Sequence, residues 1–359
     1  MHSHSARSRV AMRARRGVLG GIAAAAAAVL FAACSAGAPP TPANTQVPAG
    51  DDDALGALYE EAQAEGTLTW YTSIVPDNMD QIKAAFEAQF PGVTLQMLRL
   101  GGTEGPLRFS SEMEAGAVSA DVLTTSEGDF PDHALEEGWT KNLDEFDLPT
   151  LADYPADFVR GPQIVSQVSP IRFLYNTETA EAPGSWEDLL EDEWKDQLML
   201  VDPRAILPWM AQYSLLYDTY GAEYLEGISD QDYRLVDSAI PGAQALAAGE
   251  AMGLFPSLPS VANPLKAEGA PVENASLEPF TGVENTTIIN SEAEHPNAAR
   301  LFVAWIATPE GQEAFNGNFA ASPMDDIPNA ESLGDGYIPY DIAEVNANRD
   351  AVLAALGIQ

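Results

Sequence analysis

Residues 68–98, LTWYTSIVPDNMDQIKAAFEAQFPGVTLQML, decide the fold. Leu68-Thr69-Trp70-Tyr71-Thr72 is rich in β-branched and aromatic residues and is followed by turn residues, which predicts a strand. Pro76-Asp77 opens a helix, in which Met79, Ile82, Phe86 and Phe90 recur at three- and four-residue spacing, and Pro91-Gly92 ends it. Val93 to Leu98 alternates apolar with polar residues, a second strand. Downstream, Arg108 to Ala115 reads as a helix and Ala120-Asp121-Val122-Leu123-Thr124 as a short, buried third strand. This strand–helix alternation predicts the α/β class and a parallel sheet that holds ligands at its strand C-termini. Further helices are expected at Tyr59–Glu65, Ser185–Glu193, Trp209–Tyr220 and Ala298–Ala307.

The full length, 359 residues, suits about two domains. Acids outnumber bases, 54 to 17. Five of the bases (Arg7, Arg9, Arg13, Arg15, Arg16) lie in the first 16 residues, so 12 cations face 54 acids from residue 34 onward. A body that acidic repels phosphate backbones, which argues against nucleic-acid binding. The arginine-rich start leads into the apolar run Gly17–Ala33, which at 17 residues is short for a membrane span. Leu30-Phe31-Ala32-Ala33-Cys34 resembles the bacterial lipoprotein processing box, which implies that Cys34 is lipidated and anchors the chain to the outer face of the cell membrane. SAGAPPTPANTQVPAGDDD follows, with the composition of a semi-extended tether.

No catalytic signature or cofactor motif stands out. A Walker loop, a Rossmann glycine fingerprint, HExxH, GxSxG and a CxxC pair are all missing, so the expectation is a binding protein rather than an enzyme. Cys34 is the one cysteine, which excludes an internal disulfide framework. Of four histidines, His2 and His4 belong to the leader, and neither His133 nor His295 has a neighbouring catalytic pattern. Gly101-Gly102-Thr103-Glu104-Gly105 follows a strand without a phosphate-loop lysine and reads as a binding-site turn. Tyr213, Tyr217 and Tyr220 share one helix face, a spacing that reads as packing.

Several blocks, in order along the body, resemble the extracellular solute-binding proteins of ABC importers, in the branch of ferric-iron, phosphonate and sugar-phosphate binders. They are Leu68–Ser73, Ser119–Leu123, Phe173–Thr177, Ser185–Leu190 with Trp194-Lys195, Val201–Arg204, and His295–Phe302 leading to Thr308–Gln312. The resemblance implies a two-lobed, type II periplasmic-binding fold with the ligand between lobes. It implies crossings around Ser169–Tyr175 and Glu284–Ile289. The expected division is a signal peptide 1–34, a flexible tether 35–53, lobe I from 54–168 plus 286–325, and lobe II from 169–285 plus 326–359.

Where the ferric binders place a tyrosine pair, this chain carries Phe255-Pro256-Ser257-Leu258-Pro259-Ser260, and Ser73-Ile74-Val75-Pro76 stands where a histidine is often found. A hard cation needs anionic oxygen ligands, so the expected solute is an oxygen-rich organic molecule or small anion, with no bound metal. The expected ligand-binding residues are Thr72, Ser73, Thr103, Thr125, Ser126, Arg172, Arg204, Trp209, Ser257 and Ser260. Ser73 precedes a helix whose free N–H groups favour negative charge. Thr125 and Ser126 stand at the ligand edge of the sheet. Arg204 could hold a carboxylate or phosphonate bidentately or simply pair with an acid. Trp209 could wall a cleft or pack in the core. The expected partners are a small-molecule solute, a membrane permease and, through the lipid, the membrane, with the chain acting as a monomer. The alternatives are ferric transport through rearranged ligands, a cationic solute drawn by the charge, and an exported acid hydrolase.

Overall fold

The computed structural model describes residues 52–359 except Val118. The expected signal peptide, the lipidation site Cys34 and all but the last two residues of the expected tether lie outside the described residues. Thirteen strands are described: β1 (Thr67–Thr72), β2 (Thr94–Arg99), β3 (Val122–Thr125), β4 (Val159–Arg160), β5 (Gln163–Pro170), β6 (Arg172–Asn176), β7 (Leu198–Val201), β8 (Arg234–Val236), β9 (Gly253–Ser257), β10 (Val272–Ala275), β11 (Gly282–Ile289), β12 (Ala321–Ser322) and β13 (Glu331–Ser332). They form two sheets, ordered β13-β12-β5-β11-β3-β1-β2, with β4 beside β5, and β10-β6-β9-β7-β8.

The deciding stretch folds as its pattern requires. Trp70 and Tyr71 are neighbours in β1, so they face opposite sides of the sheet. Trp70 packs against Phe302 and Phe315 in a core with Phe86 and Trp305, which come from the helices Pro76–Gln89 and Pro296–Ile306 and, for Phe315, from Pro309–Asn316. Tyr71 joins Phe109, Leu123, Phe130 and Ile288 in the core on the other face. The second sheet builds a separate core around Phe173, Trp186, Trp194, Tyr213 and Phe255. The C-terminal helix Ile342–Ala355 adds Val345 and Val352 to it. Two independent apolar centres make two lobes.

The sheets depart from the expected all-parallel pairing. β1, β2 and β3 are parallel, but β11 runs antiparallel between β3 and β5. In the second sheet β7, β8 and β9 are parallel, β6 runs antiparallel beside β9, and β10 pairs antiparallel with β6. The reversed strands are the ones that carry the chain between lobes. The first crossing is at Ile171, inside the expected segment. The second lies between Ala275 and Gly282, ahead of the expected Glu284–Ile289, because all of β11 pairs within the first sheet. β13 also pairs in the first sheet, so the expected boundary at 325/326 moves beyond Ser332. The first helix begins at Asp52, inside the expected tether. The helix expected at Ser185–Glu193 is two short 3₁₀ turns, Glu187–Leu190 and Asp192–Trp194. No helix among the described residues is long and apolar enough to cross a membrane.

Candidate functional site

Register fixes where the two lobes can share a ligand. Thr125 at the end of β3 is opposite Thr286, and the same strand continues to Gly282, opposite Pro170. One residue later the chain enters β6, where Arg172 is opposite Ser257 at the end of β9. The C-terminal ends of the parallel strands in both sheets are therefore directed at one crossover, the edge where α/β sheets offer free amide groups. The connections are bound side by side. The Ile171 N–H donates to the Thr281 carbonyl at 2.9 Å, and the Ile338 N–H donates to the Phe280 carbonyl at 2.8 Å.

The expected ligand residues divide by burial. The Thr72 hydroxyl accepts from the Ile74 N–H at 3.1 Å and the Thr125 hydroxyl from the Glu127 N–H at 3.1 Å, so both side chains shape the turns after their strands. The Ser73 hydroxyl donates to Asn285 Oδ1 at 3.1 Å, tying the first turn to β11. Ser126 is half-buried, and Thr103 is exposed at the start of the helix Glu104–Glu114. Trp209 is buried in the core of the second lobe. Ser257 is fully buried and its Oγ has no hydrogen-bond partner, whereas Ser260 lines a cavity of about 190 Å³ beside Ser169, Asn263, Asn318 and Glu331.

Both expected arginines are already paired. Arg172 is 4 % exposed, forms an ion pair with Glu331, and lies 4.3 Å above the Phe280 ring. Arg204 holds Asp202 through three contacts of 2.7–3.1 Å and donates to the Gln359 carbonyl at 2.8 Å. The Arg204 hydrogen bond keeps the Asp202 carboxyl below the usual carboxylate range. Neither guanidinium is left free to hold an anion bidentately.

The larger cavity, about 640 Å³, lies between the lobes and is lined by none of the ten expected residues. The first lobe contributes Asp129, Asp132, Arg160, Gln163, Glu284 and Thr286, and the C-terminal segment contributes Tyr340 and Asp341. Arg160 grips Glu284 through both carboxylate oxygens, at 2.7 and 2.9 Å, and the Tyr337 hydroxyl donates to the same carboxylate. Burial, followed by the charge of Glu284, pushes the Tyr340 hydroxyl upward and keeps it protonated. Burial and the neighbouring Asp129 raise the Glu127 carboxyl. Negative charge is crowded along this wall.

Sequence reading missed these residues because strand register, not spacing, assembles them. Arg160 and Glu284 are 124 positions apart and meet because β4 and β11 both pair with β5. The same holds for the polar chain under the crossover. Asn285 donates to Gln167 at 3.0 Å, and Gln167 donates to Asn78 at 3.0 Å and to the Phe315 carbonyl at 2.7 Å. The two histidines have structural partners. His295 Nδ1 is 2.9 Å from Asp121, which also accepts from the Thr69 N–H, and His133 stacks edge-on against Trp139. Tyr213 is buried, which raises its hydroxyl well above the ordinary range, the opposite of a phenolate ligand. Among the described residues no three His, Cys, Asp or Glu side chains converge where a metal could be held.

The sequence profile described as bacterial extracellular solute-binding protein matches residues 72–313. No curated protein matches the chain. Among solved structures, it is similar to the substrate-binding protein of the ABC transporter from Agrobacterium tumefaciens, at 15% identity and TM-score 0.63, over 81% of this chain and 94% of that one. It is similar to iron-bound HitA from Pseudomonas aeruginosa, at 19% identity and TM-score 0.61, over 81% and 99%. It is also similar to the periplasmic binding protein AfuA from Actinobacillus pleuropneumoniae with fructose-6-phosphate bound, at 19% identity and TM-score 0.54, over 82% and 97%. At these identities the likeness is one of fold.

Proposed function

The chain belongs to the bacterial extracellular solute-binding proteins, the substrate-binding components of ABC transporters, and from that premise we propose that its lobes close at the crossover on a small polar solute. The observation that carries this reading is the register that directs both sets of parallel strand ends at one hinge. Closure would exclude water and strengthen each hydrogen bond made to the solute. The solute is held by hydrogen bonds from turns and side chains rather than by an arginine clamp, because Arg172 and Arg204 each carry a carboxylate already. Of the ten expected residues, Thr103, Ser126, Ser257 and Ser260 have hydroxyls without an intramolecular partner; Ser257 is fully buried, Ser126 half-buried, and Thr103 and Ser260 exposed. The chain is tethered through lipidated Cys34 to the outer face of the membrane, where as a monomer it meets the permease. No bond of the solute is made or broken.

The test is a thermal-shift panel on the full chain in detergent, with sugars, carboxylates, phosphonates, ferric complexes, amino acids and amines. A solute at 100 times its dissociation constant adds about 2.7 kcal/mol to stability. A raised midpoint with one class supports the reading, and product released from any panel member overturns it in favour of an enzyme. Cys34→Ala should move the chain from the membrane to the soluble fraction, and unchanged membrane retention would sink the lipid anchor.

A further inference from the structure

The 640 Å³ cavity between the lobes carries a pattern of unmet acceptors. Its cation, Arg160, is spent on Glu284, whose two oxygens it holds together with the Tyr337 hydroxyl. That leaves Asp129, Asp132 and Asp341 on the walls, and among the described residues no cation lies within salt-bridge distance of any of them. Asp341 also caps the helix Ile342–Ala355 by accepting from the Glu344 N–H at 3.0 Å, so the positive end of that helix is already answered by a carboxylate. An acidic wall alone would be a solvated face.

A second observation makes it a site. Gln163 lines the same cavity and is 6 % exposed, yet its Oε1 has no hydrogen-bond donor. A buried amide oxygen without a partner is costly, and such groups in native proteins call for an explanation by a missing ligand or water. The Arg160–Glu284–Tyr337 cluster on the same wall, by contrast, is hydrogen-bonded. Beside the donors of Tyr340 and Asn346, the cavity thus presents three carboxylates and one buried carbonyl oxygen that no cation among the described residues answers. Its complement is a molecule that brings donors and positive charge together.

We propose that the larger cavity is the solute site and that the solute is an organic cation with N–H donors, a primary amine or guanidinium compound. The ammonium or guanidinium group sits between Asp129 and Asp132 and the amide oxygen of Gln163, and the C-terminal segment closes over it through Tyr340 and Asp341. This rests on the reading of the chain as a solute receptor and names the solute class.

Isothermal titration of the full chain with spermidine, putrescine and agmatine tests it, beside tetramethylammonium, magnesium ion, maltose and phosphate. The N–H-bearing cations should bind, weakening with salt, while tetramethylammonium and magnesium bind at least tenfold less tightly. The double variant Asp129→Asn, Asp132→Asn should lose at least tenfold in affinity. Gln163→Leu should lose affinity too, although it removes an unpaired polar group and so leaves the unliganded thermal midpoint unchanged or higher. Equal binding of magnesium, or amine affinity untouched by these variants, overturns the proposal as charge attraction elsewhere. Binding of maltose or phosphate without amines also overturns it while leaving the receptor reading standing. Silence from every compound in both this panel and the broader one above removes both.

Discussion

Arg160 and Glu284 form a two-pronged ion pair, 2.7 and 2.9 Å, that joins the short strand before the crossover to the strand that returns through it. Glu284 is buried and its third partner, Tyr337, lies in the segment leading to the C-terminal helix. Three separate stretches of chain meet at one carboxylate beside the hinge.

Removing that carboxylate should therefore cost more than a surface pair would. Breaking a buried pair costs about 3–5 kcal/mol because a charge is left uncompensated. The Arg160 side chain is 32 % exposed and can recover some hydration, so Glu284→Ala is expected to lose about 2 kcal/mol. Replacing both partners, Arg160→Met with Glu284→Leu, should restore most of the loss. Urea denaturation of the two singles and the double closes the cycle. A coupling under about 0.5 kcal/mol would mean that strand register alone holds this region.

Gly311 is the third residue of the helix Pro309–Asn316, which is capped by the Thr308 hydroxyl. A Cβ there would stand 1.9 Å from the Trp305 carbonyl oxygen, and backbone cannot move aside cheaply. Gly311→Ala should destabilise by at least the 1–3 kcal/mol typical of overpacking, about 2–5 °C in thermal midpoint for a protein of this size. Gly116→Ala is a control for a glycine with open space, where only the left-handed φ of 60° opposes a side chain. A smaller loss at Gly311 than at Gly116 would refute the close-approach argument.

How much was legible follows from how local each feature is. The run 68–98 declares its strands and helix because period and punctuation are local, and the Trp70/Tyr71 alternation already sorts two cores. The Thr308–Gln312 block is legible as a helix start, and its glycine as a contact only once Trp305 is in place. The antiparallel insertion of β11 is illegible, since nothing in Gly282–Ile289 says that it returns between β3 and β5. The acidic cavity is hidden for a related reason. In a chain with 54 acids, Asp129, Asp132 and Asp341 look like any others until the fold brings them to one space. Arg204 shows the converse, a residue singled out for its rarity that the turn binds to its own neighbour Asp202.

That neighbour pair makes a titration prediction. Arg204 depresses the Asp202 pKa below its ordinary 3.8, first through the side-chain hydrogen bond. A carboxyl depressed on folding contributes stability that is present above the unfolded value and lost as pH falls through the folded one. The contribution should be complete above about pH 5 and decline below 3.8. Carboxyl NMR titration should find Asp202 below 3.8, and Arg204→Ala should move it upward. An unchanged value in the variant would mean that the Arg204 backbone N–H, not the guanidinium, sets it.

A buried row of hydroxyls crosses the first sheet. Trp70 Nε1 donates to Thr124 Oγ1 at 2.9 Å, Thr124 Oγ1 is 2.8 Å from Thr287 Oγ1, and Thr287 Oγ1 donates to Ser166 Oγ at 3.2 Å. These residues come from β1, β3, β11 and β5, so the row links the parallel strands to the two that form the hinge. Thr287 is fully buried, and water cannot replace a lost partner there. Thr287→Val keeps the shape but removes the hydroxyl, leaving the Thr124 hydroxyl without its acceptor while Ser166 keeps only the Asn285 carbonyl, at a cost of about 1–3 kcal/mol. Thr287→Ser keeps the hydroxyl and removes one methyl, about 1 kcal/mol. If the polar row holds the hinge strands, valine should cost more than serine and should speed amide exchange at Thr124 and Ser166. Should serine prove the more damaging, packing of the methyl group dominates and the row is incidental.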